Sequence, residues 1–394
     1  MNEKNQSYIQ SVALEGYKSI QHTEIDFEQG LNIIIGKNGS GKTNFLEFLF
    51  NIIFLRYTIF IGQEYSFNFK SFKFSVCNQG KITSVLVYRE ENLQTIEENN
   101  NADNIIKKTT YENIATLTEE DDEKKYQAER NIKNLFRNIK TKISYETPKN
   151  VSYIEQSHSF KFAAATSSIE SNSKIYIPTN FIAKLDISFN RLVRDKKLAN
   201  RKNNLNKIDW KNELENYFLN ELAKNEFLKK VQKFSPIQDL RLSPNMSVYL
   251  RASETSIENI YIEFKVNNEW YSWDSLSDGT KRLFYIISEV VTAESIVLLE
   301  EPELGIHPHQ LHLLMQFLKE QSETKQIILT THSPQVLDIL NVNELNKIII
   351  AEMTEEGTKL RHLTEKQKKK ATAYMEELFL SDYWVQNGGL EDEE

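Results

Sequence analysis

One octapeptide restricts the fold of this 394-residue chain more tightly than any other feature: GKNGSGKT, Gly36 to Thr43, directly after the apolar run LNIII. It matches G-x-x-x-x-G-K-[ST] in the strand–turn–helix setting that a phosphate-binding loop requires. Glycines at 36, 39 and 41 let the backbone curl until successive N–H groups point at phosphate oxygens, and the positive end of the following helix adds to that field. Lys42 is placed to reach the β and γ phosphates, and the Thr43 hydroxyl to bind Mg2+. A chance glycine turn would lack both the strand before it and the apolar helix after it.

That helix has a second reading. Phe45 to Ile61 (FLEFLFNIIFLRYTIFI) is apolar enough to resemble a membrane span, yet it carries Glu47 and Arg56 and continues from the phosphate loop. We therefore expect a buried helix packed on a sheet, with no membrane contact. With 40% hydrophobic and 26% charged residues the chain reads as globular, and a net charge of −8 argues against a surface that binds nucleic acid throughout. The opening MNEKNQSYIQ lacks a basic-then-apolar signal, and Cys77 has no second cysteine to pair with, so a cytoplasmic setting is expected.

Three zones follow from composition. Residues 1–90 read as strands (Ser7–Leu14, Ser19–Phe27, Leu31–Ile35), then the glycine loop and a helix. Residues 91–240 read as an inserted lobe, mainly helical. In it Glu90–Asp122, rich in Glu, Asn and Thr, suggests solvated loop or exposed helix, Lys174–Ile177 a strand, and Trp210–Phe234 one amphipathic helix on Leu214, Tyr217, Phe218, Leu222, Phe227 and Leu228. Residues 241–350 alternate again, with strands near Val248–Leu250 and Tyr261–Val266, a helix from about Thr280, and apolar runs at Ser295–Leu299 and Gln326–Thr330. Short apolar runs between helices are what a sheet covered on both faces produces. The expected fold class is α/β, with a mixed central sheet, an antiparallel subdomain and the inserted lobe; residues 351–394 form a C-terminal helix and acidic tail.

The third zone carries further chemistry. In SIVLLEEPELGIHPHQ an apolar strand ends on Glu300 and Glu301, whose side chains point in opposite directions. Glu300 would sit near Mg2+, and Glu301 would polarise a water attacking the γ-phosphate. An apolar run ending in two glutamates usually marks only a strand entering a loop; its distance from the phosphate loop favours the catalytic reading. LSDGTKR, Leu276 to Arg282, places Ser277 as a helix N-cap and Gly279 where a phosphate can approach the backbone. IILTTHSP delivers His332 to a strand end. A lone histidine there is more often structural, but here it is the expected reporter of the γ-phosphate.

Phosphate loop, LSDGT, EEPE with LGIHP, and TTHSP stand in the order of an ABC-type ATPase. Together with the opening ALEGYKSI they resemble the branch that contains RecF, SMC proteins and the overcoming-lysogenisation-defect ATPases, over roughly residues 7–90 and 245–345. The resemblance implies ATP and Mg2+ as cofactors, with Asn38, Gly39, Ser40, Gly41, Lys42, Thr43 and Asn44 around the nucleotide and Lys18 near it. It implies a head-to-tail homodimer or higher homo-oligomer in which Ser277, Asp278 and Gly279 act in trans on the partner's ATP. A glutamine at the metal is also implied, for which Gln79, with Gln63 behind it, is the candidate. Asp278 where transporters carry glycine, and Glu300 where many relatives carry aspartate, imply slow hydrolysis. The 62 residues after His332 are too few for the Toprim nuclease domain often found in that group.

The expected function is therefore a nucleotide-gated sensor or scaffold controlling a separate effector, a nuclease or toxin, in bacterial anti-phage defence. A RecF-like repair ATPase is the first alternative, because Arg191–Lys211 carries eight basic residues against Asp195 and Asp209 and could track DNA. A solvated helix and loop is the plainer reading of that stretch. An ATP-bound structural module with little hydrolysis is the second alternative. Tyr383 and Trp384 offer a docking element for a partner if exposed.

Overall fold

The computed structural model describes residues 8–54, 64–69, 73–79, 82–95, 104–117, 158–163, 169–171, 209–250, 254–260, 262–293 and 295–386, and a few positions between 123 and 130. In chain order, β1 (Ile9–Tyr17), β2 (Ile20–Asp26) and β3 (Leu31–Ile35) lead to α1 (Lys42–Phe54). Then follow β4 (Glu64–Phe69), β5 (Lys73–Gln79), β6 (Ile82–Thr95), β7 (Asn104–Leu117), β8 (His158–Ala163) and β9 (Ile169–Ser171). Helices α2 (Trp210–Ala223) and α3 (Phe227–Phe234) precede β10 (Asp239–Leu242), β11 (Ser247–Leu250), β12 (Glu254–Ile260), β13 (Ile262–Val266) and β14 (Glu269–Tyr271). The rest is α4 (Asp278–Thr292), β15 (Ile296–Glu300), α5 (Pro308–Ser322), β16 (Gln326–Thr331), β17 (Ile348–Thr354), β18 (Gly357–His362), α6 (Glu365–Met375) and α7 (Leu380–Gln386).

The described residues fall into two compact units, one within 1–145, 293–303 and 318–394, the other within 146–292 and 304–317. The first is built on a mixed sheet of order β15-β16-β3-β17-β18, in which the first four strands are mutually parallel and β18 closes the edge antiparallel to β17. Every residue of β3, β15 and β16 is buried, which explains why their sequences are nearly unbroken apolar runs: strands covered on both faces have no solvent side to mark with polar residues. Helix α1 packs against β15 and β16 and buries Phe45, Leu46, Phe48 and Leu49. Its apolar character is thus core packing, and among the described residues no helix is long and apolar enough to cross a membrane. A second, antiparallel sheet of order β2-β1-β4-β5-β6-β7 completes this unit.

In the other unit, α2, α3 and α4 accompany a small antiparallel sheet of order β10-β13-β14. Phe227, Phe264, Trp273 and Phe284 form one aromatic cluster with centroids 5.1–5.9 Å apart and mostly edge-on rings, a geometry that favours the ring quadrupoles. A separate sheet has the order β11-β12-β8-β9.

Three expectations are corrected. The stretch 90–122, expected as loop or exposed helix, holds the end of β6 and all of β7, paired from Thr83↔Leu117 to Thr95↔Asn104. Trp210–Phe234 is two helices, because Asn225 (φ 52°) and Glu226 (φ 55°) adopt left-handed backbone that no single helix can contain. Tyr383 and Trp384 are buried, only 4% and 9% exposed, while Phe379 and Val385 face out. The expected strand Lys174–Ile177 lies outside the described residues.

Candidate functional site

The phosphate loop leaves β3 and ends in α1, as contiguous sequence required. Gly39 (φ 82°) and Gly41 (φ 89°) occupy left-handed backbone. Gly36 is needed for space: a Cβ there would lie 2.2 Å from the Ala351 carbonyl oxygen. Lys42 is buried, and its Nζ donates to the carbonyls of Gly36 (2.7 Å) and Lys37 (2.9 Å), so the ammonium lies folded within its own loop. Burial pulls the Lys42 ammonium below its ordinary value, and the carboxylates of Glu301, Glu303 and Glu300 oppose that shift. The buried Ser40 hydroxyl has no hydrogen-bond partner among the described residues. Asn38 and Gly39 are exposed at the loop tip, and Asn44 donates from Nδ2 to Ser19 Oγ at 2.7 Å.

β15 lies two strands from β3, with β16 between them, and delivers the paired glutamates beside this loop. Thr43 Oγ1 donates to Glu300 Oε1 at 2.6 Å, joining residues 257 apart in sequence. A hydroxyl and a carboxylate converging at one point form the hard oxygen set that Mg2+ accepts. Glu301 follows with φ 42°, a strained conformation for a non-glycine residue, held by its N–H donating to the Thr330 carbonyl at 2.9 Å. His332 leaves the end of β16, its Nδ1 3.6 Å from Glu301 Oε1 and 3.5 Å from Glu303 Oε1.

Glu303 has no expected role from sequence, although it closes the EEPE motif. It is 9% exposed, and its Oε1 accepts from Thr331 Oγ1 (2.5 Å) and from the His332 N–H (3.2 Å). Its Oε2 is buried without a hydrogen-bond partner among the described residues. Glu303 therefore ties the loop after β15 to the end of β16 and fixes where His332 begins.

Other expected residues fall elsewhere. Lys18 (φ 49°) is paired to Glu47 of α1. Gln79 ends β5, with its side chain, like all of Gln63, outside the described residues. Ser277, Asp278 and Gly279 open α4 in the second unit, where Ser277 Oγ accepts from the Thr280 N–H at 3.2 Å as an N-cap. Asp278 is fully exposed, its nearest charged partner Lys281 at 3.6 Å. Gly279 is bare by necessity, since a Cβ would stand 2.9 Å from the Gly305 carbonyl. Of the basic stretch 191–211, only its last residues are described, and Lys211 donates to the Pro244 carbonyl at 3.0 Å.

A family model described as "AAA domain, putative AbiEii toxin, Type IV TA system" matches residues 31–338. The chain belongs to this AAA-domain family. It carries, in chain order, the phosphate loop, LSDGT, the paired glutamates and TTHSP. Over a short segment this AAA-domain protein is similar to the DNA replication and repair protein RecF of Bacillus pumilus (strain SAFR-032), 46% identical over 43 residues. That match is 11% of the chain and 12% of the relative. RecF of Bifidobacterium adolescentis is 50% identical over 40 residues, 10% of either protein. The matched segments thus span about one-eighth or less of the length of these relatives. A crystal structure of an Smc head bound to the C-winged helix domain of ScpA overlaps 92% of the chain and 99% of its own length, at 16% identity and TM-score 0.49. An Smc head with an extended coiled coil from Pyrococcus furiosus overlaps 94% and 100%, at 15% identity and TM-score 0.49.

Proposed function

We propose that this ABC-type protein binds ATP on Gly36–Thr43, hydrolyses it slowly, and dimerises head to tail on the bound nucleotide to control a separate effector. The observation that carries the reading is the 2.6 Å approach of Thr43 to Glu300 beside a buried Lys42. Bound between Thr43 and Glu300, Mg2+ would neutralise charge on the β and γ phosphates. Lys42 would exchange its bonds to the Gly36 and Lys37 carbonyls for phosphate oxygens. Glu301 would orient and polarise the attacking water and take its proton. His332, held from behind by Glu303, would contact the γ-phosphate.

Residues 1–90 and 241–350 would be the N- and C-terminal parts of one ATPase domain, 91–240 an inserted lobe and 351–394 a C-terminal helix and tail. Ser277, Asp278 and Gly279 of one protomer would close the nucleotide held by the other, with the bare Gly279 admitting phosphate to the start of α4. A family description that includes a toxin system supports a setting in anti-phage defence, with a nuclease or toxin as effector, and the protein would act in the cytoplasm. Isothermal titration of ATP into the wild-type chain and into Lys42→Ala tests the reading: binding by the first and not by the second is expected, and equal binding by both contradicts it.

The RecF similarity favours a second reading, direct action on DNA through 191–211. A DNA mobility shift that depends on ATP, and that disappears when those basic residues are neutralised, would favour it over effector control.

A further inference from the structure

Two glycines of the phosphate loop are pressed against the same C-terminal hairpin. Gly36 faces the Ala351 carbonyl on β17, and a Cβ on Gly41 would lie only 2.0 Å from Thr358 Oγ1 and 2.6 Å from Thr358 Cγ2 on β18. The hairpin, residues 348–362, lies outside the segment 31–338 that the family model matches. Thr358 is 1% exposed, and its hydroxyl does more than fill space. Its Oγ1 is 2.8 Å from Ser19 Oγ, its N–H donates to the Ser19 carbonyl at 2.7 Å, and Ser19 Oγ accepts from Asn44 Nδ2 at 2.7 Å. Gly357 (φ 100°) lets this happen, since a Cβ there would stand 2.4 Å from the same Ser19 carbonyl. A chain of hydrogen bonds thus runs from β18 through the β1–β2 turn to the first turn of α1, with Thr358 lying directly on Gly41.

We infer that Thr358 is a positioning residue of the nucleotide site, fixing the curvature of the loop at Gly41 and, through Ser19, the orientation of Asn44. The inference rests on the reading of Gly36–Thr43 as the ATP-binding loop. The physical reason is preorganisation. Loop N–H groups bind phosphate well only if their directions are set before the ligand arrives, and a loop free to relax loses affinity to its own ordering. Packing by the methyl alone would hold the glycine backbone in place. The hydroxyl adds a directional tie that the methyl cannot supply.

The test is ATP affinity by isothermal titration for Thr358→Val, which keeps the branched shape and removes the hydroxyl, with Thr358→Ser and Ser19→Ala beside it. Loss of one net hydrogen bond corresponds to a rise in Kd of about five- to tenfold. That rise is expected for Thr358→Val and for Ser19→Ala, with Thr358→Ser near wild type. The double variant Thr358→Val/Ser19→Ala should be no worse than Ser19→Ala alone, because removing the Ser19 hydroxyl already takes away the bond to Thr358 along with the one from Asn44. Wild-type affinity in Thr358→Val and Ser19→Ala, or a double variant whose losses multiply, would overturn the inference while leaving the ATP site intact. A wild-type chain that binds no ATP would overturn both.

Discussion

Thr43 Oγ1 and Glu300 Oε1 meet at 2.6 Å although 257 residues separate them, because β3 and β15 flank β16, parallel to it, in one mixed sheet and end on the same side of it. The same topology brings Lys42, Glu301, Glu303 and His332 to that sheet edge. If the pair is the Mg2+ site, Glu300→Gln should remove the gain in ATP affinity that Mg2+ provides while leaving metal-free binding within about twofold, since only the coordinating charge is lost. Titrations with Mg2+ and with EDTA measure both.

Glu301 is held in strained backbone, and a residue kept there against a cost of about 1–3 kcal/mol is poised for a task its neighbours cannot do. Glu301→Gln should lower steady-state phosphate release by roughly 100-fold or more, the scale of general base loss, and leave ATP affinity nearly unchanged. A hydrolysis rate equal to wild type would assign the chain to the structural-module reading.

Glu303 makes a separate prediction. Glu303→Ala removes the acceptor of the His332 N–H and leaves the buried Thr331 hydroxyl only the longer bond to the Ser333 carbonyl at 3.4 Å, which should cost about 1–3 kcal/mol in urea unfolding. Glu303→Gln, which keeps an acceptor oxygen, should recover most of that stability.

A pH test addresses the fold alone. Burial pushes the Glu344 carboxyl up, but hydrogen bonds from the ammonium groups of Lys319 and Lys347 and from the Asn341 N–H overcome this and hold it at about 2. A carboxyl depressed on folding contributes stability that is present above its unfolded value of 4.5 and fades as pH falls toward 2. The gap between wild type and Glu344→Gln, about 1 kcal/mol after allowance for solvent screening, should therefore be full at pH 6 and shrink below about pH 4.5. Urea midpoints across that range give the answer.

What was legible in the sequence was whatever is local. LNIII and GKNGSGKT specify strand, loop and helix within one contiguous stretch, and β3 occupies Leu31–Ile35 as expected. Buried parallel strands likewise announce themselves as apolar runs. Glu303 and Thr358 were not legible, because their roles lie in partners 28 and 339 residues away. β7 escaped notice for a related reason. Residues such as KKTTYEN carry no apolar alternation, and their strand state comes from pairing with β6, where long-range register overrides local composition. The break at Asn225 and Glu226 was hidden too, since helical spacing of apolar residues continues across it.

The shared nucleotide is tested most directly by mixing two damaged chains. Lys42→Ala destroys the phosphate loop and Ser277→Arg the surface that would close the partner's site, so each alone should neither dimerise on ATP nor hydrolyse it. A mixed pair, however, contains one intact composite site. An equimolar mixture should regain up to about half of wild-type ATPase activity, because only mixed pairs form on ATP and each carries one working site of two. A mixture no more active than the sum of its separate components would contradict the account.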